Sequence, residues 1–496
     1  MKRRQFIRQL TGLGALASLP AGLSRSLFAA ELPAAITDFS ATQLSAAIRQ
    51  GDVSCVEVMQ AYLAHIHRYN PVYNAIVSLV ADDELLAQSA NADRALARGE
   101  YQGWMHGMPH AVKDLSAVAG LRFTSGSPMF AERIADTDSD LAARVRASGA
   151  IFIGKTNSPE FGLGSQTYNP VFGPTGSAWN PALTAGGSSG GAGSGLGTHM
   201  LPVADGSDMM GSLRNPGAFN NVIGFRPSTS VMSSNPAGPR GLSVAGPMGR
   251  DTADTIRLLQ TIAPNPVPER FTPLALSGVR IGWLGDMENY LAMEAGILPL
   301  CESNLASVAQ AGAQVESARV DFVLSDLWRC WTILRHSGRS NMQRYYDDPA
   351  MRPLLKPDLI WEIEQSLVIS EQDIAEANRI RADWYRELDR LFTQYDFLVL
   401  PTAQVFPYSK EQNWPTQIAG RAMDTYHRWM EVVIPGSLGG IPAVNVPVGF
   451  DGSSRPMGMQ VMGRFGDDQR VLEFALAYES LTDHLQQRPQ LVPSLV

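Results

Sequence analysis

Two serine-glycine clusters and one lysine hold the residue types that could do chemistry in this chain. Residues 186–191 read Gly-Gly-Ser-Ser-Gly-Gly, and residues 208–214 read Asp-Met-Met-Gly-Ser-Leu-Arg. Lys113 stands apart from both, in the apolar segment Gly107-Met108-Pro109-His110-Ala111-Val112-Lys113-Asp114. A neutral lysine removes a serine proton when its surroundings lower its pKa, so two serines and a lysine make a hydrolase without histidine. The glycines leave room for a substrate carbonyl beside the serine. They also permit positive φ, which turns successive N–H groups toward one point, as an oxyanion requires.

A Gly-Ser run is also a common flexible linker. Here it leads into the apolar, strand-like Met200-Leu201-Pro202-Val203-Ala204, which a linker does not explain.

With these residues in view, the chain resembles the amidase signature family across roughly residues 40–480. Family-like blocks include Gly107–Asp114, Gly154-Lys155-Thr156-Asn157-Ser158-Pro159-Glu160-Phe161-Gly162, and Asn180-Pro181 before the Gly-Ser run. Later blocks are Leu400-Pro401-Thr402, Gly440–Gly449 and Gly458-Met459-Gln460-Val461-Met462-Gly463-Arg464. The resemblance implies roles. Ser212 matches the nucleophile, Ser188 the bridging serine held by a cis peptide bond, and Lys113 the base. The backbone N–H groups of Met209, Met210, Gly211 and Ser212 match the oxyanion hole. Asp208 and Arg214 match structural polar groups that fix the nucleophile loop. Ser189, beside Ser188, reads as a supporting hydrogen bonder, with a second relay or a plain turn residue as the alternatives. The implied reaction is hydrolysis of a carbon–nitrogen amide bond through an acyl-enzyme on Ser212. The implied fold is a three-layer α/β/α arrangement around a twisted, mixed sheet of roughly eleven strands.

The chain departs from the family at one position. Two glycines usually precede the nucleophile, whereas here Met210-Gly211 does. A methionine at positive φ would be strained, so the loop is expected to take a form that Met210 tolerates, with its side chain narrowing the pocket. This variant is similar to the subgroup of cyclic aminohexanoate dimer hydrolases.

Other readings compete. Gly187-Ser188-Ser189-Gly190-Gly191 fits a nucleophile elbow, which would make Ser189 the nucleophile of an α/β-hydrolase with His427 or His484 downstream. The preceding Asn180–Ala185 is a poor strand for that purpose. A catalytically inactive binding protein on the amidase scaffold is a second alternative, disfavoured by the three filled triad positions. Gly149–Thr156 fits a P-loop pattern, but its Ala-Ile-Phe-Ile centre is a buried strand without groups to cradle phosphate.

No cofactor or metal pattern is present. His106 and His110 are separated by Gly107 and Pro109, which oppose a shared helix face, and His65 and His67 point to different faces. Cys55, Cys301 and Cys330 sit far apart and outside any zinc pattern, and are expected to be buried thiols.

The first residues read Lys2-Arg3-Arg4-Gln5-Phe6-Ile7-Arg8, followed by an apolar stretch from Leu10 to Leu23 interrupted by Pro20. This resembles a bacterial twin-arginine export signal, with cleavage expected near Ala30 and a periplasmic or secreted product. Removing residues 1–30 takes away five basic residues and no acidic one, moving the formal charge from −8 to −13. Such a charge opposes nucleic-acid partners and anionic membranes. Residues 31–496 are expected to form one domain, a monomer or homodimer acting on a small-molecule amide and water.

Local patterns agree with an α/β fold. Ser54-Cys55-Val56-Glu57 predicts a capped helix with Val58, Tyr62 and Ile66 inward. Ser370–Asp373 caps a second, long helix through Leu388 and Leu391. Ala150–Ile153 and Phe397–Leu400 read as strands buried on both faces. The stretch 320–370 contains Phe322, Trp328, Trp331, Tyr345, Tyr346 and Trp361, which are expected in the core more than in the pocket.

Overall fold

A capping box starts the first long helix. In Cys55–Tyr73, Ser54 accepts from the N–H of Glu57, and Glu57 accepts from the N–H of Ser54. Val58, Tyr62 and Ile66 are buried along it. Ser370 and Asp373 do the same for the helix Glu371–Gln394, which buries Trp384, Leu388 and Leu391. Both helices satisfy otherwise orphaned N–H groups and bury an apolar face, Cys55–Tyr73 chiefly against Asp82–Ala97 and Glu371–Gln394 against Leu324–Ser337 and Ile434–Gly439.

The computed structural model describes residues 35–495. The export-signal segment, residues 1–30, lies outside the described residues. Thirteen strands occur among the described residues. They are β1 (Ile76–Val77), β2 (Pro109–Lys113), β3 (Ile151–Thr156), β4 (Val203–Asp208), β5 (Ile223–Arg226), β6 (Val244–Gly249) and β7 (Arg280–Trp283). Then come β8 (Gln314–Ser317), β9 (Phe397–Pro401), the short β10 (Gln417–Ile418) and β11 (Arg421–Ala422), β12 (Ala443–Phe450) and β13 (Pro456–Met462).

The main sheet has eight strands in the order β4-β6-β5-β12-β13-β9-β7-β8. It is mixed. The β7–β8 and β7–β9 pairs are parallel and the others antiparallel. Strands β9 and β13 are buried at every residue, which matches their continuous apolar sequences between helical layers. Among the described residues, no helix is long and apolar enough to cross a membrane.

The expected sheet of about eleven strands is divided. Three strands form a separate sheet, ordered β1-β3-β2. Its β2 faces edge strand β4 without a backbone ladder. The reason is Asp205. Its Oδ2 accepts from the Lys113 N–H at 3.3 Å, and its Oδ1 lies 3.1 Å from His110 Nε2. A side chain thus takes the place of ladder bonds, and Lys113 sits at this seam.

Of the six aromatics in 320–370 only Trp331 is in the core, and the other five are half-buried. Trp331 is fully buried, Phe322 packs edge-on against Trp384, and Tyr345 packs edge-on against Phe130. All three cysteines are free, buried thiols.

Candidate active site

A small cleft of about 110 Å³ opens at the seam, and both Ser188 and Ser212 line it. Three segments deliver the polar groups. Strand β2 ends on Lys113, strand β4 ends on Asp208 just before the Ser212 loop, and Ser188-Ser189 precede the helix Gly190–Gly197. The Gly187–Ser188 peptide bond is cis, as the resemblance implies. A Cβ at Gly187 would lie 2.9 Å from the backbone nitrogen of Gln166, so the close approach requires glycine.

The Lys113 Nζ lies 2.8 Å from Ser188 Oγ, 2.8 Å from Ser189 Oγ and 3.1 Å from Ser207 Oγ. Burial pushes its pKa down to about 7, against the opposing pull of Asp205 and Asp208. Three hydroxyls suit a neutral amine, which donates two hydrogens and accepts one. Ser212 Oγ makes no hydrogen bond among the described residues, so it is the open end of the cluster.

Two contacts lock the serine segments together. Ser189 donates its N–H to Ser212 O at 3.2 Å. Gly187 donates its N–H to Asn215 Oδ1 at 3.0 Å. The Ser212 loop itself is organised by Asp208. Its carboxylate accepts from Arg214 Nε at 3.0 Å, Arg214 Nη2 at 2.9 Å, Gly211 N at 2.9 Å and Leu213 N at 3.2 Å. Arg226 also pairs with it, 3.3 Å away. Burial alone would raise the pKa of Asp208, but Arg214 and Arg226 hold it below the usual carboxylate range. Asp208 and Arg214 are thus a buried pair under the loop and not a solvated surface pair.

Gly211, not Met210, adopts positive φ, at 76°. A Cβ there would stand 2.9 Å from Val433 Cγ1. The Gly211 N–H is engaged by Asp208, whereas the N–H groups of Met209, Met210 and Ser212 make no hydrogen bond among the described residues. Three of the four expected oxyanion donors are therefore free, and Gly211 is turned away. The Met209 and Met210 side chains both line the cleft.

The competing motifs resolve differently. Ser189 is fully buried behind Lys113 and does not line the cleft. His427 does line it, but its Nδ1 lies 2.7 Å from Thr425 Oγ1, and no carboxylate orients the ring as a triad would. His484 instead contacts Asn304 Oδ1 at 2.8 Å. Lys155 lies within strand β3 and donates to Ser116 O, so the P-loop pattern is a strand here. His65 and His67 bond to Thr198 O and Asp82, while His106 and His110 bond to Ala92 O and Asp205.

Other residues of the site escaped sequence reasoning. Ser207 completes the lysine's hydroxyl set. Arg226 lies in the apolar strand β5, where a lone arginine signals a buried partner. Arg335 and Arg339 line the cleft from a segment whose pattern is ordinary helix. Glu362 binds both: its Oε1 accepts from Arg335 Nε at 2.6 Å, and its Oε2 accepts from Arg339 Nε.

His336, Glu362 and His427 form a possible metal-ligand group, with candidate atoms within 4.8 Å of one another. Glu362 is already occupied by two guanidiniums and the Tyr426 hydroxyl. Their positive charge opposes a divalent cation at that point.

A mixed sheet flanked by helices thus carries a buried lysine beside two serine loops. The chain belongs to the Amidase family, which it matches over residues 57–472. It is 29% identical to an acylamidase of Rhodococcus erythropolis over 91% of this chain and 97% of that one. Among solved structures, a bacterial aryl acylamidase superposes with a TM-score of 0.82 at 25% identity, covering 91% of this chain and 99% of that one. The 6-aminohexanoate cyclic dimer hydrolase shares the fold, with a TM-score of 0.78 at 22% identity over 92% of this chain and 99% of that one.

Proposed function

We propose that this chain is an amidase whose Ser212 is acylated by a small-molecule amide, with Ser188 and Lys113 moving the proton. The observation that carries the reading is the 2.8 Å approach of the Lys113 amine to Ser188 Oγ, beside a cleft that Ser188 and Ser212 share. Family membership supports amide hydrolysis as the reaction.

In this mechanism neutral Lys113 donates to Ser189 and Ser207 and accepts from Ser188. The Ser212 proton passes to Ser188 Oγ as the Ser188 proton passes to Lys113 Nζ. Ser212 Oγ bonds to the amide carbon, and the carbonyl oxygen takes the negative charge. The free N–H groups of Met209, Met210 and Ser212 are the available donors for that oxyanion. The carbon–nitrogen bond then breaks, and the proton returns through Ser188 to the departing amine. Water attacks the acyl-enzyme by the same relay, releasing the acid and restoring Ser212.

Residues 1–30 would act as a cleaved export signal, and residues 31–496 as one amidase domain in the periplasm or medium. The support is Arg3-Arg4 and the apolar stretch that follows.

A fluorophosphonate probe tests the catalytic reading. Labelling should fall on Ser212 and disappear in Ser212→Ala. An amide panel read by mass spectrometry should show turnover only with Ser212 present. Labelling on Ser189 would favour the elbow hydrolase, and absence of labelling on any serine would favour a non-catalytic binder.

A further inference from the structure

Two guanidiniums and an imidazole line the cleft, and no carboxylate does. They belong to Arg335, Arg339 and His427, which share the cleft with Ser188 and Ser212. Glu362, behind the cleft, is the carboxylate that pairs with both guanidiniums. One negative charge against two positive charges leaves a net positive charge beside the reacting serine.

The donor inventory points the same way. Arg335 uses Nε on Glu362 and Nη2 on the Tyr426 hydroxyl, 2.8 Å away. Its Nη1 meets only the Met209 sulfur, at 3.2 Å, a weak acceptor. Arg339 uses Nε on Glu362, and its two terminal nitrogens make no hydrogen bond among the described residues. His427 is 1% exposed, and its Nε2 has no partner. In the tautomer in which the Thr425 hydroxyl donates to Nδ1, that Nε2 carries the hydrogen. Burial, with Arg335 nearby, pushes the His427 pKa well below its usual value, so the ring adds a donor without a second proton. Of this set His427 Nε2 is the buried atom without a partner, an unfavourable state that a ligand would relieve, while the Arg339 terminal nitrogens reach solvent and are free to turn to an acceptor.

Resting on the amidase reading above, we infer that Arg339, with Arg335 and His427, forms a carboxylate-binding subsite, and that the preferred substrates are short amides bearing a free carboxylate. Arg339 is then a specificity-determining residue. The side chain of Arg339 is 18% exposed, against 5% for Arg335, so Arg339 is the reachable end of the pair and Arg335 its anchored base. A guanidinium fits this role because its planar fork matches a carboxylate in a way that an ammonium does not.

The test compares succinamate, glutaramate and adipamate with the neutral amides of equal length, using the full chain and Arg339→Gln. The wild type should favour at least one of the acids by about tenfold or more in kcat/KM. Arg339→Gln should reduce that preference by about tenfold or more, mainly through KM, and Arg339→Lys should restore part of it. Calorimetric titration of each of the three acids into Ser212→Ala, with and without Arg339→Gln, reads the subsite without turnover. Binding that Arg339→Gln abolishes supports the inference even if no amide is hydrolysed, in which case the amidase reading alone fails. Turnover of neutral amides with no preference for the acids, or a preference that survives Arg339→Gln, overturns the subsite and leaves the amidase reading standing. Failure of all three acids to bind Ser212→Ala at millimolar concentration also overturns it.

Discussion

Gly211 donates its N–H to Asp208 Oδ1 at 2.9 Å, so the residue immediately before Ser212 faces the loop's support and not the cleft. The same carboxylate holds Leu213 on the other side of the serine. Asp208 thus fixes the turn from both ends, and Arg214 and Arg226 compensate its charge.

Replacing Asp208 with asparagine should therefore damage both stability and reactivity. Two buried guanidiniums would lose their counter-ion, a loss of about 3 kcal/mol or more. Urea denaturation should show the lowered midpoint, and fluorophosphonate labelling of Ser212 should slow. The wild-type interaction also has a direction in pH. The folded pKa of Asp208 is depressed, so its contribution is present above the usual carboxylate range and is lost as pH falls through the folded value. Wild type should lose stability below about pH 4 more steeply than Asp208→Asn.

Lys113 sets a second pH dependence, with the opposite protonation logic. Burial brings its pKa to about 7, and the mechanism needs the neutral form. Activity should therefore be high at neutral to alkaline pH and fall about tenfold per unit below about pH 7. Full activity at pH 4 would be incompatible with a neutral lysine base. Between about pH 7 and about pH 10.4 the unfolded chain holds a proton that the folded lysine lacks, so stability should rise with pH across that window. Lys113→Met should abolish most activity and flatten that rise. A pH-rate profile and a set of thermal melts read the two effects separately.

The two serine-glycine clusters stood out in the sequence because their demands are local, whereas the grouping of Lys113 with Ser188 and Ser212 came only with the family resemblance. A serine that a substrate must reach needs small neighbours, and Gly187 and Gly211 supply them at positions where a Cβ would clash. The capped helices and the buried strands β3 and β9 were readable for the same reason, since each depends on neighbouring residues. The divided sheet was not. It depends on Asp205 on β4 reaching Lys113 and His110 on β2, a contact between distant segments. The direction of the Gly211 N–H was hidden as well, because composition does not reveal which acceptor a turn will find. The arginines of the cleft were missed because Arg335, Glu362 and Tyr426 come from separate segments, each with an unremarkable pattern.

His427 lines the cleft yet should not be the base. Its ring is held neutral and its Nδ1 faces a threonine hydroxyl, so it lacks the carboxylate partner that a serine-histidine mechanism uses. His427→Gln should retain measurable turnover, with the larger change in KM, while Ser212→Ala abolishes it. A chelator should leave wild-type activity intact, because the charges on Arg335 and Arg339 oppose a cation at Glu362. If His427→Gln were as inactive as Ser212→Ala, or if chelation removed activity that zinc restored, imidazole or metal chemistry would replace the lysine relay.

Export provides a prediction independent of the active site. Arg3→Lys with Arg4→Lys keeps the positive charge of the first residues but removes both guanidinium forks. A translocation system that reads the arginine pair should then retain the precursor in the cytoplasm, while one that reads only charge should export it unchanged. A folded-protein route suits this chain because Lys113, Ser188 and Ser212 come from three separate segments and meet only after folding. Fractionation with an immunoblot should show the double variant shifted to the cytoplasm at the uncleaved size, with its amidase activity following it. Undiminished extracytoplasmic activity in that variant would remove the twin-arginine assignment and point to another export route.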